Sequence, residues 1–75
     1  MRNEVLEILL DINPDIDYEN EQALVDGGLI DSLEIMQIFA EIEERFEIQI
    51  SVNDVVPENF NSLDAICQLI EKKSN

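Results

Sequence analysis

The stretch that dominates this chain is residues 28–46, GLIDSLEIMQIFAEIEERF. Apolar residues recur through its second part at the spacing of an amphipathic helix. Asp31 stands at the N-cap position and Glu34 follows three residues later, which resembles a capping box with Asp in place of the usual Ser or Thr. We therefore predict a helix over residues 32–46, with the hydroxyl of Ser32 exposed in its first turn.

The apolar band of this helix is wider than one face. Its members are Leu33, Ile35, Met36, Ile38, Phe39, Ala40, Ile42 and Phe46. A band of this width either contacts several neighbouring elements or leaves apolar surface exposed for a partner. The sequence leaves both alternatives open.

Two further helices are predicted from the same periodicity. The first covers residues 3–12, with Asn3 as its N-cap. Pro14 ends it, because the residue before a proline avoids helical dihedral angles. The last helix covers residues 63–73, with Ser62 as its N-cap and lysines near its negative C-terminal end.

The connections between these helices are irregular. Residues 13–31 are long for a connection in so small a chain and contain apolar residues, so we expect them to pack onto the core. Gly27 and Gly28 are predicted to supply positive-φ turn geometry before the second helix. Residues 47–51 are expected to be an extended connector, because the chain offers no second strand to pair with them.

A short helical turn is predicted over residues 51–54, and Pro57 stops it. Residues 57–60 are predicted to be another turn. The 75 residues suit one domain, residues 1–75. The predicted fold is all-α, a small bundle of three main helices plus one short helix.

The composition is strongly acidic, with 18 Asp and Glu against 4 Lys and Arg and a formal net charge of -14. Such a charge repels nucleic-acid phosphates and anionic membranes and speeds encounter with basic partner surfaces. The chain contains no apolar run that could span a bilayer, and its start lacks the layout of a signal peptide. One cysteine excludes an internal disulfide. We expect a cytoplasmic monomer that neither binds nucleic acid nor inserts into membranes.

Ser32 is the candidate site residue. Asp31 already fills the capping role, and free backbone N–H groups at a helix start suit a phosphate ester. A nucleophilic serine needs an adjacent base, but the chain has no histidine and its lysines lie at the far end. We therefore predict an attachment point that another enzyme modifies, rather than the nucleophile of a hydrolase.

Two other features of the sequence resemble functional sites, but neither is predicted to be one. Cys67 lies on the apolar stripe of the last helix and is predicted to be a buried, unreactive thiol. Acidic and amide residues alternate over residues 11–17 as calcium ligands do, but Ile16 stands where a calcium loop requires glycine. No metal site is predicted.

Residues 31–33, Asp-Ser-Leu, are preceded by Gly-Leu-Ile and followed by a long acidic amphipathic helix. In these features, and in the order of its helices, the chain resembles the acyl carrier protein family over nearly its whole length. The resemblance implies that Ser32 carries a 4′-phosphopantetheine arm taken from coenzyme A by a phosphopantetheinyl transferase. It implies that Asp31 assists that transferase, through the Mg²⁺ used in phosphoryl transfer. The arm's thiol then holds acyl or aminoacyl groups as thioesters.

The resemblance also implies contacts for the loading and transfer enzymes, which would dock through basic surfaces. These contacts are Glu34, Met36, Gln37, Glu41, Glu43 and Glu44. It further implies a core that parts to shelter a long acyl chain. The residues lining such a core are Val5, Leu9, Met36, Phe39, Ala40, Ile66 and Ile70.

Some features differ from the housekeeping fatty-acid carriers. Gln37 stands where many of those carriers have an acidic residue, and residues 28–30 replace a Leu-Gly-Ala type of lead-in. Together with residues 57–60, these features resemble discrete carriers of specialised pathways, including aminoacyl and D-alanyl carriers. The predicted function is a non-enzymatic carrier of acyl or aminoacyl groups. The alternative of another class is an unmodified acidic adaptor, which would need the second helix but not Ser32.

Overall fold

The computed structural model describes residues 1–74 and shows a bundle of α-helices. Its elements are α1 (Arg2–Ile12), α2 (Ser32–Phe46), a 3₁₀ helix (Val52–Asp54), α3 (Pro57–Phe60) and α4 (Leu63–Ser74). Helix α1 packs against both α2 and α4, and α3 packs against α4. The predicted all-α bundle of three main helices plus one short helix is confirmed, and a second short helical segment is present within residues 1–74.

Helix α2 has the predicted bounds, and its start has the predicted chemistry. The Asp31 carboxylate accepts a hydrogen bond from the Glu34 amide at 2.8 Å, and the Glu34 carboxylate accepts one from the Asp31 amide at 3.1 Å. Two first-turn donors are thereby satisfied, which is the function of a capping box. The helix ends at Glu47, whose φ of 54° is left-handed and turns the chain into the extended connector that follows.

Two predicted details of the other helices are wrong. Helix α1 begins at Arg2 and not after an Asn3 cap. The carbonyl of Met1 accepts hydrogen bonds from two first-turn amides, each at 3.1 Å, so Met1 is the N-cap. Residues 57–60 form one turn of helix rather than a simple turn. Pro57 favours this helix, because its fixed φ suits the first helical position and no N–H is needed there.

The core is formed by apolar side chains from all four helices and from the connections. Its buried members are Val5, Ile8, Leu9, Tyr18, Leu24, Ile30, Ile38, Ile42, Ile50, Phe60, Leu63, Ile66, Leu69 and Ile70. The long connection of residues 13–31 therefore packs onto the core, as predicted. Its best anchor is Tyr18, whose hydroxyl donates to the carbonyl of Asn13 at 2.7 Å and lies 3.0 Å from the carbonyl of Leu9.

The two glycines before α2 serve different purposes. Gly28 has a φ of 72°, as predicted, and this conformation favours glycine. The same prediction for Gly27 is wrong. Gly27 is needed for a different reason, since the backbone packs too closely there for a side chain. A Cβ at this position would lie 2.5 Å from the carbonyl oxygen of Ala23.

The wide apolar band of α2 divides into two parts. Ile38 and Ile42 are fully buried in the core. Leu33 and Met36 are 68% and 51% exposed, and Ala40 is also exposed. The prediction that Met36 and Ala40 line the core is therefore wrong, because the stripe that packs inward is narrower than the apolar band.

Candidate functional site

Ser32 is exposed at the first turn of α2. Because the Asp31 side chain caps the helix, the Ser32 hydroxyl is not engaged in that role. The first N–H groups of a helix lack partners within it, and the helix dipole adds a positive partial charge at this end. Both effects favour a phosphate ester over an uncharged group at such a position.

A groove of about 220 Å³ opens beside Ser32. Apart from Ser32 its lining is apolar, and consists of Val25, Ile35, Met36, Val55, Val56, Pro57 and Phe60. Ile35 and Met36 follow Ser32 at the i+3 and i+4 positions, so all three lie on one face of α2. The facing wall comes from the segment of residues 55–60. Ser32 therefore lies at the edge of α2 that borders an apolar groove.

Glu34, a predicted partner contact, also accepts hydrogen bonds within the fold. Besides its bond to the Asp31 amide, its carboxylate accepts a hydrogen bond from the Asn13 side chain at 3.2 Å. This contact ties the start of α2 to the end of α1. Glu34 is half-buried as a result. Its contact with a partner stays a prediction.

The remaining predicted partner contacts do not line the groove beside Ser32. Gln37 and Glu41 line a separate cleft of about 330 Å³ between α1 and α2, together with Asp11 of α1. Glu43 is half-buried and accepts a hydrogen bond from the Ile50 amide at 2.9 Å, which holds the connector after α2. Glu44 is exposed. Of the predicted site residues, Ser32 and Met36 line the groove, and Asp31 directly precedes Ser32 as the cap of α2.

Sequence reasoning missed one wall of the groove. Val25, Val55, Val56, Pro57 and Phe60 come from irregular segments or from one short helical turn. Their apolar character is visible in the sequence, but no periodicity shows that they face α2. A short amphipathic turn beginning at a proline was the available signal for Phe60.

Cys67 does not contribute to this site. It is half-buried on α4 rather than fully buried as predicted. Burial raises the pKa of its thiol, an effect that Arg2 partly opposes and Asp64 reinforces. The thiolate that would react is therefore disfavoured, in agreement with an unreactive thiol. Among residues 1–74 there is no group of three or more potential metal ligands close enough to hold an ion.

The helices within residues 1–74 lack the length or the apolar character needed to cross a membrane. An exposed serine at a helix start with an apolar groove beside it is an arrangement that suits a covalently attached group. Residues 3–70 match the family described as phosphopantetheine attachment site, and the chain belongs to this family.

Curated relatives agree with this assignment at low identity. The chain is similar to the D-alanyl carrier proteins of Streptococcus sanguinis (strain SK36) and Streptococcus gordonii (strain Challis). Each is 25% identical over 76 residues, covering 100% of this chain and 96% of the relative. The D-alanyl carrier protein of Streptococcus uberis is 26% identical over 61 residues, covering 81% of this chain and 77% of that protein.

The protein is thus a non-catalytic carrier with a 4′-phosphopantetheine prosthetic group. Carriers of this family are modified by a phosphopantetheinyl transferase and interact with loading enzymes. The residues present suit the group, because an exposed hydroxyl at a helix start receives a phosphate ester and the adjacent groove offers an apolar surface to the arm. Family membership removes the unmodified adaptor and the hydrolase as alternatives.

Proposed function

We propose that Ser32 is the residue that carries the phosphopantetheine arm. The observation that supports this most directly is the position of Ser32, exposed at the first turn of α2 and bordering the apolar groove. The matched family region, residues 3–70, includes this serine. The chain's other serines differ. Ser62 is buried, Ser51 uses its hydroxyl to cap the 3₁₀ helix, and Ser74, at the end of α4, donates its hydroxyl to the carbonyl of Ile70.

In this proposal the Ser32 oxygen forms a bond to the phosphorus that bears the pantetheine of coenzyme A. The pyrophosphate bond breaks, adenosine 3′,5′-bisphosphate leaves, and the hydroxyl proton passes to a base of the transferase. Asp31 fixes the helix start and presents a carboxylate beside the hydroxyl for the transferase's Mg²⁺. When bound, the arm supplies a thiol that holds its cargo as a thioester. Tethering raises the effective concentration of that cargo at each partner's active site.

Intact mass spectrometry tests this assignment. The apo-protein is incubated with coenzyme A, Mg²⁺ and a promiscuous phosphopantetheinyl transferase, and we expect a gain equal to one phosphopantetheinyl group. Ser32→Ala should abolish the gain. Ser51→Ala is the matched control, because it removes another exposed serine at a helix start. Modification that persists in Ser32→Ala would overturn the assignment.

The docking surface belongs to the same proposal. Basic surfaces of partner enzymes would meet the acidic residues of α2, with Met36 as an exposed apolar contact next to the groove. The acidic candidates and their amide neighbour are Glu34, Gln37, Glu41, Glu43 and Glu44. Since Glu34 and Glu43 hold hydrogen bonds within the fold, Met36 and Glu44 are the residues whose replacement tests docking without disturbing the structure. We also keep a cytoplasmic monomer as part of the proposal, because the lone free cysteine suits a reducing compartment.

We further propose that the cargo is an aminoacyl group, with D-alanine as the first candidate. The names of the relatives support this. The packing of the core supports it as well. Because Val5, Leu9 and Ile66 are fully buried, the apolar surface next to Ser32 is the groove and not the core. Loading of the holo-protein by adenylating enzymes for D-alanine, L-alanine and a long fatty acid separates the possibilities. A thioester formed with the fatty acid alone would contradict the aminoacyl proposal and leave the carrier function intact.

A further inference from the structure

Asn61, between α3 and α4, holds the segment that leads to Ser32. Its side-chain oxygen accepts hydrogen bonds from the amides of Val25 and Asp26, each at 3.0 Å. Its side-chain nitrogen donates to the Asp26 carboxylate at 2.9 Å. Its backbone carbonyl accepts from the Leu24 amide at 2.9 Å. One residue thus binds three consecutive residues that lie more than thirty positions away in the sequence.

The clamped segment in turn fixes the approach to α2. The carbonyl of Leu24 accepts hydrogen bonds from the amides of Leu29 and Ile30, at 2.9 Å and 3.0 Å. Ile30 is buried in the core and immediately precedes Asp31. The position of the helix cap therefore depends on a turn whose other side is attached to Asn61.

The same contacts join two segments of the groove wall that faces α2. Val25, from the long connection, and Phe60, from α3, both line the groove. Asn61 follows Phe60 directly and binds the amide of Val25. Its hydrogen bonds therefore hold these two segments of the groove lining together without using any contact of α2.

We propose that Asn61 and Asp26 form a clasp that positions the Ser32 loop and the groove for the modifying enzyme. Asn61 is a positioning residue, since it acts through residues 24–30 and not on the reacting atoms. This inference rests on Ser32 as the attachment site and adds a residue outside the motif on which its modification depends. Without the clasp the loop samples several conformations, and the transferase binds the fraction that is correctly placed.

The amide of Asn61 and the carboxylate of Asp26 can be exchanged between the two positions, which gives a conservative test. Asn61→Ala removes the side-chain bonds. Asn61→Asp keeps an acceptor for the two amides but places a second carboxylate against Asp26. The double variant Asn61→Asp with Asp26→Asn restores the set, because the new amide donates to the new carboxylate. It also leaves the net charge unchanged.

The test is the kinetics of phosphopantetheinyl transfer from coenzyme A to each purified apo-variant, at a temperature where circular dichroism shows full folding. We expect Asn61→Ala and Asn61→Asp to raise KM for the carrier by roughly fivefold with kcat nearly unchanged, as follows when the competent conformation falls to about a fifth. The double variant should return KM to within about twofold of the original, on the same relation. The amides of Leu29 and Ile30 are hydrogen-bonded to Leu24 and not to Asn61. Their exchange should quicken in Asn61→Ala and slow again in the double variant.

Asn20→Ala is the matched control, because Asn20 also donates to an aspartate, Asp17, at 2.7 Å in the same long connection. It should leave KM unchanged. An unchanged KM in Asn61→Ala, or a double variant as defective as the single ones, would overturn the clasp. Either result would leave Ser32 as the attachment site, whereas modification in Ser32→Ala would remove the premise of both.

Discussion

Helix α2 has two sides that are built in different ways. On one side, Ser32, Ile35 and Met36 face an apolar groove whose far wall is formed by irregular chain and the single turn of α3. On the other side, Gln37 and Glu41 face the residues of another long helix, α1, across a polar cleft. One helix therefore presents Ser32, the proposed attachment site, on a side lined by short segments. It presents an acidic surface on the side that faces another long helix.

The difference shows how a small carrier divides its tasks. The side toward α1 contributes to the stability of the fold. Ile38 and Ile42 are buried there, and the Tyr18 hydroxyl donates a hydrogen bond to the carbonyl that follows α1. We call these contacts between α1, α2 and Tyr18 the frame. The groove side depends on a few hydrogen bonds and one ion pair to hold its short segments. Replacements should thus divide into those that unfold the domain and those that alter its modification.

The largest effect is expected for Phe60, which belongs to both the core and the groove wall. Phe60→Ala should cost about 3–5 kcal/mol of unfolding free energy. A chain of this size has on the order of 4–11 kcal/mol in total. Met36 is the contrast, because it lines the same groove but is 51% exposed, and Met36→Ala should stay within about 0.5 kcal/mol. Urea denaturation followed by circular dichroism measures both. Equal losses would show that the groove is part of the core.

The second effect concerns the frame. Tyr18→Phe removes a buried hydroxyl that bonds to backbone carbonyls of α1 and the residue after it. We expect a loss of about 1–2 kcal/mol at neutral pH, measured by the shift in urea midpoint. Asp15→Asn, an exposed change in the same connection, is a control that should have little effect.

Tyr18 also gives the frame a pH dependence. Burial, with a smaller effect from the charge of Glu34, raises the pKa of Tyr18 to about 12. A folded-state pKa above the ordinary value of 10.0 means that the contribution is complete below pH 10 and declines as pH rises toward 12. The stability difference between wild type and Tyr18→Phe should narrow over that range. Because the chain has one tyrosine and no tryptophan, tyrosinate absorbance reports this group alone, and a midpoint near 10 would contradict the burial.

A third effect separates the two roles assigned to Asp31. Asn is as good an N-cap as Asp, so Asp31→Asn should change stability by less than about 0.5 kcal/mol, whereas Asp31→Ala should lose about 1 kcal/mol. If the carboxylate also serves the transferase, both variants should slow modification of Ser32 by about tenfold, the effect of one charge-assisted contact of ~1.4 kcal/mol. Thermal melts and transfer rates are measured on the same preparations. Normal modification of Asp31→Asn would reduce Asp31 to a helix cap.

How far the sequence predicts the molecule differs between the two sides of α2. The bounds of α2 follow from local chemistry, namely the Asp31 cap, its reciprocal Glu34 and a helical apolar repeat. The start of α1 does not, because the backbone carbonyl of Met1 caps it and leaves no side-chain signal.

The groove side could not be derived from local patterns. An apolar band wider than one face does not show which members turn inward, so Met36 was assigned to the core although half of it is exposed. The contact of Asn61 with residues 24–26 joins positions remote in sequence, and it arises only when α4 and the long connection have packed. The exposed position of Ser32 at the first turn of α2 is predictable from sequence, since it depends on the cap beside it.

The smallest effect tests the other tie on the groove side. Lys73, near the end of α4, lies 2.6 Å from the Asp54 carboxylate, which also accepts a hydrogen bond from the Ser51 amide. This ion pair attaches the 3₁₀ helix, and so the segment of residues 55–60, to α4. Lys73→Met should destabilise the domain slightly, while Lys72→Met removes the same charge from an exposed position and serves as the control.

The pH dependence of this pair has a defined sign. The hydrogen bond from Lys73 lowers the pKa of Asp54 below its ordinary value of 3.8, and the Ser51 amide adds to the effect. A lowered folded-state pKa means that the stabilisation is complete above the ordinary value and is lost as pH falls below it. The difference between Lys73→Met and Lys72→Met should therefore be constant near neutral pH and disappear in acid, and added salt should reduce it. If the difference instead persists below the acid transition, the lysine stabilises α4 through its aliphatic chain, and the ion pair does not hold the segments of the groove wall.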